Sequence, residues 1–277
     1  MRFALKIAYD GTRFSGSQRQ PKVRTVDGEC IFVLKKIGAI ADPAESRYQS
    51  ASRTDRGVSA AGNVIAFDTQ MAKKALLGSF NSAARDVWAW AVAPVPDHFN
   101  ARRAVQRWYR YHLPGELDID RARSVADAFR GRHDFRRFAR VKTGTIRTLD
   151  SLEVSRAGAF LLLDIKGQSF LWSMVRRIAS AVELFCRNKI SMGEIDAAMA
   201  GANLDLGLAP PEPLILMDVA YDFDFEVSPN VKVRKEVLGH LRRSQLEAAR
   251  WMTIAGTIGD GRCLNVVSPR DLAIDTR

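Results

Sequence analysis

The sequence predicts an α+β protein built from antiparallel sheets with helices on one face. Three observations support this class. The run from Phe3 to Tyr9 has an apolar residue at every second position, which is typical of a strand. Residues 170–186 carry an apolar stripe at helical spacing. Strands and helices recur in both halves of the chain, although no repeat is detectable in the sequence.

Local signals place the elements of the first half. The strand at residues 3–9 ends at the turn signal Asp10-Gly11. Thr25 is suited to be the N-cap of a helix that ends near Gly38 and has the apolar face Val26, Cys30, Val33, Leu34 and Ile37. The next predicted elements are a strand at 64–67, a weak helix at 71–84, and a strand at 87–93 with Trp88 and Trp90 in the core.

The second half begins with a strand predicted at 104–113, broken by Pro114-Gly115, whose shared face is Val105, Tyr109, Tyr111 and Leu113. The elements after it are a helix at 118–130, a basic loop at 133–144, strands at 146–155 and 160–166, helices at 170–186 and 191–201, a strand at 214–221 and a basic helix at 231–254. Asp222, Asp224 and Glu226 alternate after the last strand, which favours a solvated strand face over a metal site.

The charge of the chain indicates a polyanionic partner. The protein has 277 residues, of which 47% are hydrophobic, so it can bury a substantial core. Its formal net charge of +11 favours nucleic acid as the partner, with simple solubility or a membrane-facing patch as alternatives. Residues 102–147 hold 13 Lys and Arg against 5 Asp and Glu, and aromatic residues interleave with the arginines there.

The cysteines and the hydropathy indicate a reduced compartment. Cys30, Cys186 and Cys263 are too few and too far apart for a zinc site or a disulfide framework, so we expect reduced, buried thiols. No apolar run approaches the length of a membrane span. Lys6 and Asp10 interrupt the first apolar stretch, which argues against a signal peptide. We therefore expect a cytoplasmic protein without a membrane partner.

The most informative stretch is Ser52-Arg53-Thr54-Asp55-Arg56-Gly57-Val58. It places one carboxylate, Asp55, between two guanidinium groups. Gly57 permits a sharp turn directly after it, so Asp55 is predicted to lie on a loop rather than in a helix. Such an aspartate can be an anchored anion or a nucleophile, whereas the simpler interpretation is a surface Arg–Asp pair in a turn.

This stretch resembles the active-site motif of the tRNA pseudouridine synthases of the TruA family, G-R-T-D-x-G-V-H-A-x-G-Q-V. The sequence departs from it at Ser52, Ser59 and Asn63, which stand for Gly, His and Gln. Further blocks occur in the family's order over about residues 3–222. Residues 9–20 resemble Y-D-G-T-x-F-x-G-W-Q-x-Q with Ser17 for the aromatic residue, and the other matches are at residues 99–102, 108–111, 133–138, 170–176 and 209–214.

The resemblance implies a particular architecture. It implies two similar halves, residues 1–103 and 104–225, whose sheets merge into one extended sheet with the RNA cleft across the seam. Residues 226–277 would then form a C-terminal helical extension. It also implies a homodimer.

The resemblance further implies a tRNA pseudouridine synthase, an isomerase that converts uridine to pseudouridine in the anticodon stem-loop, at positions 38–40 of the tRNA. Asp55 corresponds to the essential aspartate, and whether it attacks the base, attacks the sugar or removes a sugar proton stays open. Arg176 would orient Asp55, and Tyr109 would stack on the uracil. The implied substrate-binding residues are Arg53, Leu214, Arg13, Gln18 and Arg19.

The implied reaction needs no cofactor, and the sequence carries no P-loop or dinucleotide fingerprint. An alternative is a catalytically silent RNA-binding protein of the same fold, against which the retained Arg53, Asp55, Tyr109 and Arg176 argue. A nuclease is a third possibility, but the four histidines are scattered without acidic partners.

Overall fold

The computed structural model of the protein describes residues 1–141, 143–228 and 231–260, and in the last range it describes the side chains of residues 235–248 and 250. The chain divides into two compact units, residues 1–228 and a second unit that begins at residue 229. The first unit contains a large sheet with helices packed on it, which confirms the predicted α+β class. The described helices are Val26–Lys36 (α1), Lys73–Ala83 (α2), Ile119–Ala128 (α3), Met174–Cys186 (α4), Met192–Met199 (α5) and, in the second unit, Val231–Asp260 (α6).

A nine-stranded sheet forms the centre of the first unit. The described strands are Arg2–Tyr9 (β1), Gln49–Ser50 (β2), Ser59–Asp68 (β3), Val87–Val95 (β4), Gln106–Pro114 (β5), Gly131–Asp134 (β6), Ile146–Leu149 (β7), Ser151–Ala157 (β8), Phe160–Gly167 (β9), Leu214–Ala220 (β10) and Glu226–Val227 (β11). The order of strands across the large sheet is β11-β4-β1-β3-β10-β5-β9-β8, and β2 pairs with β3 beside that path. A separate two-stranded sheet pairs β6 with β7.

The contact between β3 and β10 joins strands from the two ends of the first unit. It is parallel, with Ile215 opposite Ser59 and Leu216 opposite Ala60. The sequence predicted antiparallel sheets, and the described strands pair antiparallel everywhere except at this contact. The loop that carries Asp55 leads directly into β3, so this contact lies next to the candidate site.

The core lies between the sheet and the helices. The alternate residues Leu5 and Ile7 of β1 are fully buried, as period-two patterning predicts. The predicted apolar stripe of α4 is buried, and so are Val26, Cys30, Val33 and Leu34 of α1. Burial of each large aliphatic or aromatic side chain contributes about 1.5–3 kcal/mol to folding, so these faces fix the helices on the sheet.

Some predicted elements differ from the structure. Helix α4 begins at Met174 rather than at residue 170, because Ser173 adopts a left-handed conformation with φ +65°. The predicted basic loop at 133–144 begins inside β6, whose residues pair with β7. Val105 lies before β5 and is 57% exposed, so its predicted place on the buried face with Tyr109 is wrong.

Several predictions concern the C-terminal part of the chain. Asp222, Asp224 and Glu226 are exposed, while the aromatic residues between them are half-buried, in agreement with a solvated face. The predicted helix at 231–254 is confirmed and extends to Asp260. Cys30 and Cys186 are buried and free. Cys263 and the end of the predicted extension, residues 261–277, lie outside the described residues.

Candidate active site

Asp55 lies on a loop that connects β2 to β3. This confirms the prediction of a loop rather than a helix. A turn closes directly after the aspartate, because the Val58 N–H donates to the Asp55 carbonyl at 3.1 Å. Gly57 occupies this turn with φ +88°, a conformation that residues with a Cβ rarely adopt. The glycine therefore sets the direction in which the chain leaves Asp55.

Buried hydrogen bonds hold the residue before the aspartate. The Thr54 N–H donates to Ser17 Oγ at 2.7 Å, and the Ser17 N–H donates to the Thr54 carbonyl at 3.0 Å. The Thr54 hydroxyl lies 2.9 Å from the Tyr9 hydroxyl at the end of β1. Ser17, which stands where the family motif has an aromatic residue, is thus a buried partner of the Asp55 loop.

The other departures from the family motif are also hydrogen-bonded. Asn63 is fully buried, and its amide donates to the Ser52 carbonyl at 3.0 Å while its oxygen accepts from the Ser52 N–H at 3.2 Å. Ser59 Oγ accepts from the Gly11 N–H at 3.0 Å. These small polar residues fix the loop by direct bonds, so the departures keep the loop ordered.

Arg107 is a further residue of the candidate site, and it was not predicted from the sequence. It is buried on β5, and its Nε donates to Ser52 Oγ at 2.9 Å. Its other nitrogens donate to the carbonyls of Ala51, Arg102 and Gln168. This arginine therefore ties the Asp55 loop to β5 and to two other segments. Because side chains alternate along β5, Arg107 lies on the same face as Tyr109. This alternation is the sequence signal that could have identified Arg107.

The carboxylate of Asp55 forms an ion pair with Arg176. Nη1 of Arg176 lies 2.9 Å from Asp55 Oδ2, and the two side chains are 13% and 27% exposed. Nε of the same guanidinium donates to the Ala209 carbonyl at 2.7 Å, which fixes its plane. Arg53 and Arg56, which flank Asp55 in the sequence, are both exposed. The ion pair joins Asp55 to Arg176, the residue that the family resemblance implied would orient the carboxylate.

Trp172 contacts the second oxygen of the same carboxylate. Its indole Nε1–H donates to Asp55 Oδ1 at 3.0 Å. The guanidinium of Arg140 lies 4.9 Å from the centre of the indole ring. This contact was not predicted from the sequence, because the two residues are 117 positions apart. The sequence signal that could have indicated it is the position of Trp172 in the same motif block as Arg176.

Tyr109 and Leu214 lie on neighbouring strands of the sheet. Tyr109 is buried on β5, and its ring packs edge-on against Phe170 with centroids 5.1 Å apart. Burial raises the pKa of the Tyr109 phenol above its ordinary value of 10.0, against the opposing effect of the Arg107 guanidinium. Leu214 is buried at the start of β10.

A cleft of about 790 Å³ brings most of these residues together. Of the predicted residues, Asp55, Arg53, Tyr109, Arg176, Leu214 and Gln18 line it. Arg13 and Arg19 are exposed and do not line it, and Nε of Arg13 lies 3.7 Å from Asp10 Oδ2. The arrangement offers a carboxylate with a donor on each oxygen, beside a polar and aromatic cavity. Such a group can act as a nucleophile or a base.

Among residues 1–141, 143–228 and 231–260, no group of three or more His, Cys, Asp or Glu side chains is placed to hold a metal ion. None of the helices in these ranges is long and apolar enough to cross a membrane.

One family model matches about a third of the chain. Residues 125–222, which include Arg176 and Leu214, match the family model described as tRNA pseudouridine synthase. Curated relatives match nearly the full chain and identify a more specific family. The tRNA pseudouridine synthase A of Thermococcus sibiricus is 43% identical over 90% of this chain and 97% of its own length, and that of Pyrococcus abyssi is 40% identical over 90% and 96%. The chain belongs to the tRNA pseudouridine synthase A family.

A more distant likeness exists among solved structures. A Cbf5-Nop10-Gar1 complex is 12% identical with a TM-score of 0.33, covering 64% of this chain and 44% of that chain. This likeness adds no weight to the family assignment, which depends on the relatives in sequence.

Proposed function

We propose that the protein isomerises uridine to pseudouridine in tRNA. The observation that carries the proposal is the Asp55–Arg176 ion pair at the cleft, which unites two motif blocks 121 positions apart. The family relatives support the same reaction, since their names describe tRNA pseudouridine synthases.

The reaction breaks the N-glycosidic bond, turns the uracil within the site and rejoins it to the sugar through carbon. Asp55 carries this chemistry by attacking the base, attacking the sugar or removing a sugar proton. Arg176 keeps the carboxylate oriented in each case. Nothing is oxidised or reduced overall, so the residues of the chain supply all the groups that the steps require.

Tyr109 and Leu214 contact the uracil in this proposal. The aromatic ring of Tyr109 stacks on the base, and Leu214 forms an apolar wall beside it. Tyr109 also receives the proton that leaves the uracil carbon at the end of the reaction. Because burial raises the pKa of this phenol, it is protonated in the free enzyme, so its oxygen takes the uracil proton as its own proton passes to solvent water.

The substrate is the anticodon stem-loop of tRNA, with the target uridine at positions 38–40 as the family resemblance implies. The target base must leave its stack to enter the cleft, which costs a few kcal/mol. Arg53 holds the displaced nucleotide or a phosphate at the mouth of the cleft. Gln18, Arg13 and Arg19 contact the RNA on the exposed loop after β1.

The assembly consists of two similar halves, residues 1–103 and 104–225, with the RNA cleft across their seam and residues 226–277 as an extension. The strand order supports the division into halves, because β4, β1 and β3 lie on one side of the parallel contact and β10, β5, β9 and β8 on the other. The first residues of the extension form β11, which pairs with β4 of the first half. The protein acts in the cytoplasm as a homodimer. Sedimentation equilibrium tests the oligomer, and a mass of one chain would contradict it.

Pseudouridine mapping of tRNA tests the proposed function. Unmodified tRNA with uridine at positions 38–40 is incubated with the protein and mapped by a chemistry specific for pseudouridine. New pseudouridine is expected in the anticodon arm, and a tRNA with cytidine at these positions serves as the matched control. Binding without any new pseudouridine would contradict the proposal and favour the silent RNA-binding protein.

A further inference from the structure

We propose that Trp172 is a positioning residue for Asp55, an inference that rests on the proposed function. Its indole N–H fixes Asp55 Oδ1 while Arg176 fixes Oδ2, at 3.0 and 2.9 Å. The carboxylate is therefore bound at both oxygens by donors from one segment, the residues at and just before the start of α4.

Two donors restrict the carboxylate more than one does. With Arg176 alone, the carboxylate of Asp55 could rotate about its Cβ–Cγ bond and expose either oxygen to the cleft. The second donor removes this freedom, because Trp172 and Arg176 approach different oxygens from fixed points of the backbone. Catalysis depends steeply on such orientation, since a reacting group must be aligned with its target before the step begins.

The backbone around Trp172 is itself fixed. Ser173 has φ +65°, a left-handed conformation that residues with a Cβ rarely adopt. The Met174 N–H donates to the Leu171 carbonyl at 3.0 Å, and the Arg140 N–H donates to the Trp172 carbonyl at 3.1 Å. A strained residue held by its surroundings is typical of functional sites, and Ser173 lies directly between Trp172 and the start of α4.

The exposure of Trp172 separates two interpretations of its role. The side chain is 56% exposed, so the indole could instead be a stacking platform for RNA. The guanidinium of Arg140 already lies over the ring, and the indole N–H is directed at Asp55. A stacking platform would act on the affinity for tRNA, whereas a positioning residue acts on the rate of the bound complex.

Two substitutions at Trp172 test the inference with full-length protein and unmodified tRNA. Trp172→Phe removes the N–H and keeps an aromatic ring. Replacement of Trp172 by 3-benzothienylalanine, whose sulfur takes the place of the N–H, keeps the size and the stacking of the indole. For both variants we expect kcat to fall about 10-fold, which is the lower end of the effect expected when a hydrogen bond to a charged group is lost. We expect KM for tRNA to change less than about 2-fold.

Trp108→Phe is the matched control. The indole of Trp108 also donates to an aspartate, Asp164 at 2.5 Å, but it lies on the face of β5 opposite Tyr109. This variant loses the same kind of bond and is expected to keep the kcat of the wild type.

The outcomes separate the inference from the proposed function. A wild-type kcat in both Trp172 variants, or a raised KM with an unchanged kcat, would overturn the positioning role while the enzyme remains a pseudouridine synthase. A wild-type protein that forms no pseudouridine in any tRNA would overturn the proposed function and this inference together.

Discussion

At the residue scale, the chemistry depends on the surroundings of Asp55. Its ion pair with Arg176 is partly shielded, because the arginine and aspartate side chains are 13% and 27% exposed. Two partly shielded unit charges about 4 Å apart attract each other by about 4 kcal/mol before the cost of desolvation is subtracted. Arg176 also binds the Ala209 carbonyl, so one guanidinium links the Asp55 loop to the segment before β10.

Arg176→Lys tests this double role. A lysine keeps the charge but cannot bond Asp55 and the Ala209 carbonyl in the fixed geometry of a guanidinium. We expect the single-turnover rate of pseudouridine formation to fall by about 10-fold to 100-fold. Arg177→Lys is the control, because Nη1 of Arg177 lies 3.4 Å from the Gly207 carbonyl rather than at Asp55. Equal rates in the two variants would contradict the assigned role of Arg176.

A second prediction concerns the phenol of Tyr109. Burial raises its pKa above 10.0, so the neutral form persists through the range in which an exposed tyrosine would ionise. The ultraviolet difference titration between wild type and Tyr109→Phe isolates this phenol among the five tyrosines. We expect its midpoint above pH 10, with circular dichroism confirming that the fold persists. A midpoint at or below pH 10 would show that the phenol is not shielded as described.

At the element scale, the parallel contact of β3 with β10 requires a glycine. A Cβ on Gly62 would lie 2.7 Å from the Met217 carbonyl oxygen and 3.1 Å from the Cα of Asp218. Gly62→Ala therefore forces the two strands apart, and we expect a loss of about 1–3 kcal/mol in the free energy of unfolding, measured with urea.

The control for this prediction is Gly78→Ala in α2, where a Cβ would meet nothing within 4 Å. A helix gains about 0.5–1 kcal/mol from alanine in place of glycine, so this variant should be neutral or more stable. If Gly62→Ala were as stable as Gly78→Ala, the close approach of the strands would be refuted.

Elements with strong local signals were predictable from the sequence. The alternation in β1 placed Leu5 and Ile7 in the core, and both are fully buried. The capping box of Ser191 and Glu194 is present at the start of α5. The start of α4 was not predictable, because the strain at Ser173 depends on contacts elsewhere in the chain. The strand β6 was missed because its charged residues hide the period-two pattern.

The candidate site was only partly predictable. The aspartate and the turn glycine could be identified within one stretch, and the family resemblance supplied Arg176 and Tyr109. The indole of Trp172 and the anchor Arg107 act through contacts that span 117 and 55 positions, which no local pattern contains. The same holds for the parallel join of β3 and β10, which unites strands far apart in the sequence.

At the scale of the whole molecule, the net charge of +11 governs the encounter with tRNA. Each phosphate neutralised by Lys or Arg releases condensed counterions, so the affinity falls steeply with salt. We expect the affinity for tRNA to fall by about 10³-fold between 50 and 200 mM salt, measured by filter binding. Sucrose at matched osmolality is the control. An affinity independent of salt would contradict a phosphate-based encounter.

The most direct test of the central claim is Asp55→Asn. The substitution keeps the size of the side chain and removes the carboxylate that the proposed reaction needs. We predict that pseudouridine formation in tRNA falls by about 10³-fold or more while tRNA still binds. Asp222→Asn, which changes the same charge at an exposed position, should keep the activity of the wild type. Normal turnover by Asp55→Asn would contradict the account.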